Sequence, residues 1–423
     1  MYIYETADWT SFSWNIELVL PLIEEVNRKI GQLSGRLTAI GLDNSLLQMV
    51  DTITSDVVAS SQIEGVTLNK QEVRSSVARK LGVIVEEQAS PTHYVEGIVE
   101  MMLDAVTNTR QPLTEDRLFG WHYCLFPNNR SGYQAIRTGA YRVEGMQVVS
   151  GNFGRERVHY RAPEAEDVPK MMAQFLQWFN SSTPAPSIIK SAIAHLWFVC
   201  IHPFDDGNGR IARALSDMVL AQADGCKYRY FSMSKQINHE KTDYYRVLEQ
   251  TSRGTSDITQ WICWYLGCMS RALDDANNEM SIVLNKSIFW QTHSGIALSE
   301  RQSEMLNKWL DGYEAKLTIK NWAKYANVSQ DTAARDIKDL EKKQILRPTP
   351  GRVRDIAYQI IYSLTDIPVK NCSVIEKDGY SYICIDHSGE QLSERISPLD
   401  KKRLEEGEIS LTDLVHKYFA YVD

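Results

Sequence analysis

Ile189-Lys190-Ser191-Ala192-Ile193-Ala194-His195-Leu196-Trp197-Phe198-Val199-Cys200-Ile201 runs directly into His202-Pro203-Phe204-Asp205-Asp206-Gly207-Asn208-Gly209-Arg210-Ile211-Ala212-Arg213. The first half is apolar enough for a buried helix. Pro203 ends it, because the residue before a proline avoids the α region. His202 is left at the tip of a core helix, facing a turn. Gly207 and Gly209 open backbone conformations closed to other residues and let a ligand approach closely. Amides exposed in such a turn form a nest for anions. A second helix starting near Asn208 or Gly209 would add its unpaired N–H groups and dipole. Arg210 and Arg213 are three apart and share a helical face. Two guanidinium forks on one face suit the β- and γ-phosphates of a nucleotide. Asp206 beside them is a hard oxygen ligand of the kind Mg²⁺ takes together with substrate phosphates. The chemistry that fits is nucleotidyl transfer. A target hydroxyl attacks the α-phosphate, His202 takes its proton, and pyrophosphate leaves with the metal.

Written as HxFx(D/E)GNGRxxR, residues 202–213 resemble the signature of the Fic family, with every fixed position filled. The resemblance implies a mainly α protein with an all-helical catalytic core and a β-hairpin flap. It implies a protein adenylyltransferase that moves AMP from ATP to a Tyr, Thr or Ser hydroxyl of a protein, the chain itself included. His202 would be the catalytic base. Gly207, Asn208, Gly209, Arg210 and Arg213 would hold the phosphates, Asp206 the Mg²⁺, and Phe204 would anchor the loop.

Upstream, Ser60-Ser61-Gln62-Ile63-Glu64-Gly65 fits a second family pattern, (S/T)xxxE(G/N). Ser60 and Glu64 are i,i+4 neighbours on a helix, and Gly65 would end it. By resemblance, Glu64 pairs with Arg213 and withdraws it from the γ-phosphate. The chain would then be autoinhibited by an N-terminal helix near 55–65. Residues 139–163 read as a hairpin about the turn-forming Ser150-Gly151-Asn152-Phe153-Gly154. In the family, such a flap pairs with the target backbone, and Val149, Ser150 and Gly151 match the part that lies near the nucleotide. In 238–248, Tyr244 is the first match, and Tyr245 the second, for a tyrosine packed beside the adenine. Ser252 departs from relatives that carry a polar amide there.

The chain has 423 residues, enough for roughly three domains of ordinary size. Four segments are expected: a helical module over 1–45, the core over 46–285, a winged helix-turn-helix over 295–362, and a small appendage over 363–423. Trp9-Thr10-Ser11-Phe12-Ser13-Trp14 resembles the module found ahead of many bacterial Fic cores. Ser299-Glu300-Arg301-Gln302 starts a helix with a capping-box pattern. Residues 318–329 resemble the first half of a helix-turn-helix, 329–337 would open the recognition helix, and two strands about Gly351 would form a wing. Arg335, Lys338, Lys342 and Lys343 are balanced by Asp331, Asp336, Asp339 and Glu341, a poor phosphate-binding stripe. Arg347, Arg352 and Arg354 make the wing locally basic. DNA binding and protein docking or dimerisation stand equal for this module, and family habit favours a homodimer.

Net charge is −8 and the isoelectric point about 5.7. Such a chain is not a nucleic-acid or membrane-surface binder by overall charge. No apolar run reaches the ~20 residues that span a bilayer, and the N-terminus lacks a signal-peptide pattern. Seven cysteines without a CxxC pair argue against a disulfide framework or a zinc ribbon. A cytoplasmic protein is the natural expectation. Two other readings compete with the adenylyltransferase. One is a DNA-binding regulator whose core only senses nucleotide. The other keeps the fold but uses another donor, transfers phosphocholine, or removes AMP with the help of Glu64.

Overall fold

The computed structural model describes residues 1–39, 42–85, 89–150, 157–224, 230–349, 356–362, 372–377, 379–387 and 390–406, with residues 411, 414 and 418. The backbone divides into two units, Met1–Asn278 and Glu279–Asp423.

The first unit opens with α1 (Ile16–Ala39), α2 (Leu42–Ile63), α3 (Lys70–Leu81), α4 (His93–Thr107) and α5 (Glu115–Leu125). A tight hairpin follows, β1 (Arg130–Ser131) with β2 (Gln134–Ala135). Then comes the flap, β3 (Gln147–Ser150) antiparallel to β4 (Arg157–Arg161). Helices α6 (Val168–Asn180), α7 (Ser187–Ile201), α8 (Asn208–Asp224), α9 (Met233–His239), α10 (Lys241–Ser252) and α11 (Thr259–Thr292) complete it, the unit boundary falling within α11.

Helix α7 is the centre. It is apolar on nearly every side, and a helix of that kind has no solvent face. Leu196, Phe198 and Ile201 are fully buried against Ile211 and Leu215 of α8, among the rings of Phe175, Trp261 and Tyr265. Each such side chain contributes about 1.5–3 kcal/mol relative to exposure. Four buried hydroxyl and imidazole groups pair with one another inside this core. Ser191 Oγ bonds Tyr265 Oη at 2.7 Å, and His195 Nε2 bonds Tyr244 Oη at 2.9 Å. Helix α7 stops at His202, whose backbone is left-handed (φ 51°, ψ 59°). A proline follows, so α8 cannot continue α7 and starts in a new direction.

In the second unit, α12 (Glu300–Leu310), β5 (Leu317–Thr318), α13 (Ile319–Tyr325), α14 (Gln330–Lys342), β6 (Leu346–Pro348) and β7 (Ala357–Ile360) follow in that order. Ser299 and Gln302 form the anticipated capping box. Asn327, at φ 53°, turns the chain between α13 and α14. The strands make an antiparallel sheet in the order β5-β7-β6, with Leu346 opposite Ile360. Trp309 and Trp322 stack at 5.9 Å over a core with Leu306, Ile337 and Leu340. Gly351, Arg352 and Arg354 of the expected wing lie outside the described residues. In the appended segment, Tyr380–Ile385 lies in the central strand of a three-stranded sheet, β8 (Cys372–Lys377), β9 (Tyr380–His387) and β10 (Glu390–Arg395). A short helix, α15 (Pro398–Glu405), follows.

Candidate active site

Residues 202–208 form a loop in which every member is held. Arg142, 2% exposed, donates from Nε to His202 O at 2.8 Å, from Nη1 to Glu144 O and from Nη2 to Pro163 O. Its own N–H donates to Pro203 O at 2.9 Å. The Asn208 side chain accepts from Phe204 N at 3.0 Å and donates to Phe204 O at 2.8 Å. The Phe204 ring stacks on His122 at 4.3 Å. Asp205 accepts from Arg137 N at 2.8 Å. His122 Nδ1 accepts from Gly139 N, so its Nε2–H donates to Asp206 O at 3.1 Å. A Cβ on Gly207 (φ 83°) would come within 2.9 Å of the Phe126 ring, so only glycine fits.

His202 is half-buried, and its Nδ1 sits 3.2 Å from Val199 O. That bond places the proton on Nδ1 and leaves Nε2 as an acceptor. Burial lowers its pKa to about 4, the Arg142 charge adding in the same direction, so the ring is neutral near pH 7. Asp206 receives the Ser131 hydroxyl on Oδ2 and Gly207 N on Oδ1, with Arg210 Nη2 at 3.4 Å. Its side chain remains 39% exposed, and each carboxylate oxygen has lone pairs to spare. Among the described residues no three His, Cys, Asp or Glu side chains cluster as a metal cage. A single open carboxylate fits Mg²⁺ that completes its shell with phosphate oxygens and water.

Both motif arginines are buried at the start of α8. Arg210 donates to Tyr94 Oη at 3.0 Å and lies over the Phe126 ring. Arg213 Nε donates to Ser60 Oγ at 2.9 Å, and Nη2 to Ser60 O at 2.9 Å and to Glu64 Oε1 at 2.8 Å. Burial alone would lower the Arg213 pKa; the Glu64 charge outweighs it and the net shift is upward. Arg210 Nε and Arg213 Nη1 have no hydrogen-bond partner among the described residues. Glu64 Oε1 also occupies the space beside Gly209, where a Cβ would collide with it. A carboxylate oxygen therefore already sits against the first turn of α8, the place that favours a phosphate. Gly65, at φ 79°, ends the helix as expected.

Three expected positions stand differently. The Tyr244 ring is 2% exposed, and its hydroxyl is bonded to His195 within the core. Tyr245, the second match, is the more accessible of the two. Tyr245 is 41% exposed and donates to Ile63 O at 3.3 Å, next to Glu64. Ser252 is buried and bonds Glu249 O within its own helix. Of the flap residues, Val149 and Ser150 are exposed on β3, and Gly151 lies outside the described residues. The strands are shorter than the stretch 139–163, because residues 139–146 are spent on the Arg142 anchor. Sequence reading missed Arg142, Ser131, His122 and Tyr94. Only Arg142, a charge inside an otherwise uncharged Tyr141–Val143 triplet, carries any local signal.

Residues 2–83 match a family described as Domain of unknown function (DUF4172), and residues 112–220 match the Fic/DOC family. The latter segment, about a quarter of the chain, holds all of the motif at residues 202–213. It is 36% identical over 114 residues to a protein named Protein adenylyltransferase Fic from Nematostella vectensis, covering 26% of this chain and 25% of that one. It is 31% identical over 163 residues to the protein of that name from Culex quinquefasciatus, covering 37% and 31%. The chain thus spans between a quarter and a third of these relatives' length. Among solved structures, it is similar to a Fic family protein from Desulfovibrio desulfuricans, with TM-score 0.49 and 20% identity over 81% of this chain and 96% of the other. A Fic domain containing signaling protein from Bacteroides thetaiotaomicron aligns with TM-score 0.45 and 20% identity, covering 61% and 97%. Among the described residues, no helix is long and apolar enough to cross a membrane.

Proposed function

We propose that the first unit is a protein adenylyltransferase held inactive by its own Glu64. The observation that carries this reading is the Arg213–Glu64 contact at 2.8 Å, made by the α8 arginine that closes the phosphate-binding motif. A carboxylate in that place competes directly with a γ-phosphate for the same guanidinium. Once Glu64 withdraws, Arg213 and Arg210 receive the β- and γ-phosphates, and the Gly207–Gly209 backbone lies along them. Asp206 would hold Mg²⁺, which would supply neutralising charge to the phosphates there. His202 Nε2 takes the proton of a Tyr, Thr or Ser hydroxyl. The hydroxyl oxygen bonds the α-phosphorus, and the bond to the β-phosphate bridging oxygen breaks. A neutral imidazole is required at the outset, and a pKa near 4 supplies it.

Wild type, Glu64→Gly and His202→Ala are to be incubated with Mg²⁺ and with α- or γ-labelled ATP. Protein label from the α position alone is expected, strongest in Glu64→Gly and reduced in His202→Ala, by roughly 10²–10⁴-fold at every acceptor that depends on His202 as its base. No α-label in any variant sinks the reading and turns attention to another donor.

A second reading concerns the second unit, for which the element order supports a winged helix-turn-helix that binds DNA. Two of the four carboxylates of α14 are spent on partners, while Asp331 and Glu341 stay exposed. Asp336 points inward and is spent on Arg301 Nε at 2.7 Å and Trp322 Nε1 at 3.1 Å. Asp339 is spent on Lys343 at 2.7 Å and Gln302 at 2.9 Å. Arg335, Lys338 and Lys342 remain exposed at i, i+3 and i+7, on one face. Duplex binding should weaken steeply with salt. Arg335→Glu/Lys338→Glu should reduce it by about tenfold or more at low salt. No retention of duplex by wild type at low salt rejects DNA and leaves protein docking.

A further inference from the structure

The flap carries a hydroxyl–imidazole–carboxylate chain that the adenylyl transfer just described does not use. Ser150 Oγ lies 2.5 Å from His159 Nε2, and His159 Nδ1 lies 2.6 Å from Glu249 Oε2. These three groups come from β3, β4 and α10. The pairing of the flap strands skips His159: Val148 faces Tyr160, and Val149 faces Val158. Such a bulge re-aims the side chain it carries. The backbone around it is pinned, since Arg253 donates to His159 O at 3.1 Å and to Val158 O at 2.6 Å. Glu249 is pinned in turn by Arg157 at 3.1 Å. A carboxylate on Nδ1 fixes the imidazole tautomer and leaves Nε2 free to accept the Ser150 proton. Nucleophile, base and orienting acid stand in the arrangement that activates a hydroxyl.

Its placement is also specific. Glu249 and Tyr245 are four apart on one face of α10, roughly 6 Å along the axis. Tyr245 bonds Ile63 O, one residue before Glu64. The hydroxyl of Ser150 is exposed, whereas Ser60 and Ser61, beside the inhibitory contact, are buried.

We propose that Ser150 is an AMP acceptor within this chain, a self-modification site that brings its own base. This rests on the adenylyltransferase reading. Ser150 Oγ bonds the α-phosphorus of ATP, the bond from that phosphorus to the β-phosphate bridging oxygen breaks, and pyrophosphate leaves. The hydroxyl proton passes to His159 Nε2, where Glu249 stabilises the imidazolium before the proton is released to water. The product is a phosphodiester at Ser150, and the Ser150–His159 hydrogen bond is lost.

Full-length Glu64→Gly is incubated with ATP and Mg²⁺, digested, and mapped by tandem mass spectrometry. Expected is an AMP adduct on Ser150. With His159→Gln added, the Ser150 adduct should fall by about tenfold or more relative to adducts elsewhere on the chain. Glu249→Gln should give a smaller loss in the same direction. Adducts elsewhere with Ser150 unmodified overturn this inference and leave the adenylyltransferase reading intact. So does a Ser150 adduct that forms equally fast with Gln at position 159. No adduct on any residue and no pyrophosphate overturn both.

Discussion

At the residue scale, the arrangement turns on a histidine in a conformation that side chains avoid. A non-glycine residue in the left-handed region costs of order 1–3 kcal/mol and persists only when its surroundings over-determine it. Arg142 supplies much of that constraint, through three side-chain bonds and one from its own backbone. Arg142→Ala would leave the carbonyls of His202, Glu144 and Pro163 without their donor. A stability loss of about 2–4 kcal/mol is expected, with kcat of Glu64→Gly falling by about tenfold or more as His202 loses its aim. Arg142→Lys should rescue neither, since an ammonium cannot fork to three carbonyls. Thermal unfolding and single-turnover labelling check this. Unchanged kcat in the alanine variant would show that Arg142 does not position His202. The tyrosine pair teaches the same lesson. Adjacent residues on a helix face about 100° apart, so one of Tyr244 and Tyr245 had to point inward, and only the packing around His195 and Trp261 decided which.

Among elements, α7 and α8 were legible because their patterns are local. An apolar run, a proline and a glycine pair encode a helix end, a turn and a helix start within twenty-one residues, 189–209. The helix ends at Gly65 and Ser299 were legible for the same reason, since caps are chemistry between near neighbours. The β1–β2 hairpin was not. Two residues per strand give no periodicity, yet this element delivers the Ser131 hydroxyl to Asp206. The charge count on α14 left the pairing of each charge open for a related reason. A count treats Asp336 and Lys338 alike, whereas the helix turns one onto Arg301 and the other to solvent.

For the whole molecule, three imidazoles make the core acid-sensitive. Burial lowers the pKa of His195 to about 3, and of His122 and His202 to about 4, against an ordinary 6.5. Each pKa unit is worth about 1.4 kcal/mol between protonation states. The folded pKa values are depressed, so the unfolded chain binds these protons first. Stability is complete above pH 6.5 and drains as pH falls toward 4 and then 3. The Tm should therefore decline steadily from pH 6.5 to 4.5, and His195→Gln should flatten the slope. A Tm that is level across that interval would contradict the burial of these rings. Activity of Glu64→Gly should, in turn, stay level to well below pH 6, because His202 remains neutral.

The sequence by itself determined the mainly helical class, the motif and the order of its parts, the helix end at Glu64-Gly65, and the helix starts of the second unit. Each is written in residues at fixed short spacings, where local sterics and helical periodicity fully specify geometry. Only the tertiary structure decided that Glu64 meets Arg213 across 149 positions of chain, that Arg142 clamps His202, and that Ser150, His159 and Glu249 converge. Those contacts depend on how separate helices pack, and packing follows from shape and burial summed over the whole core rather than from any one stretch.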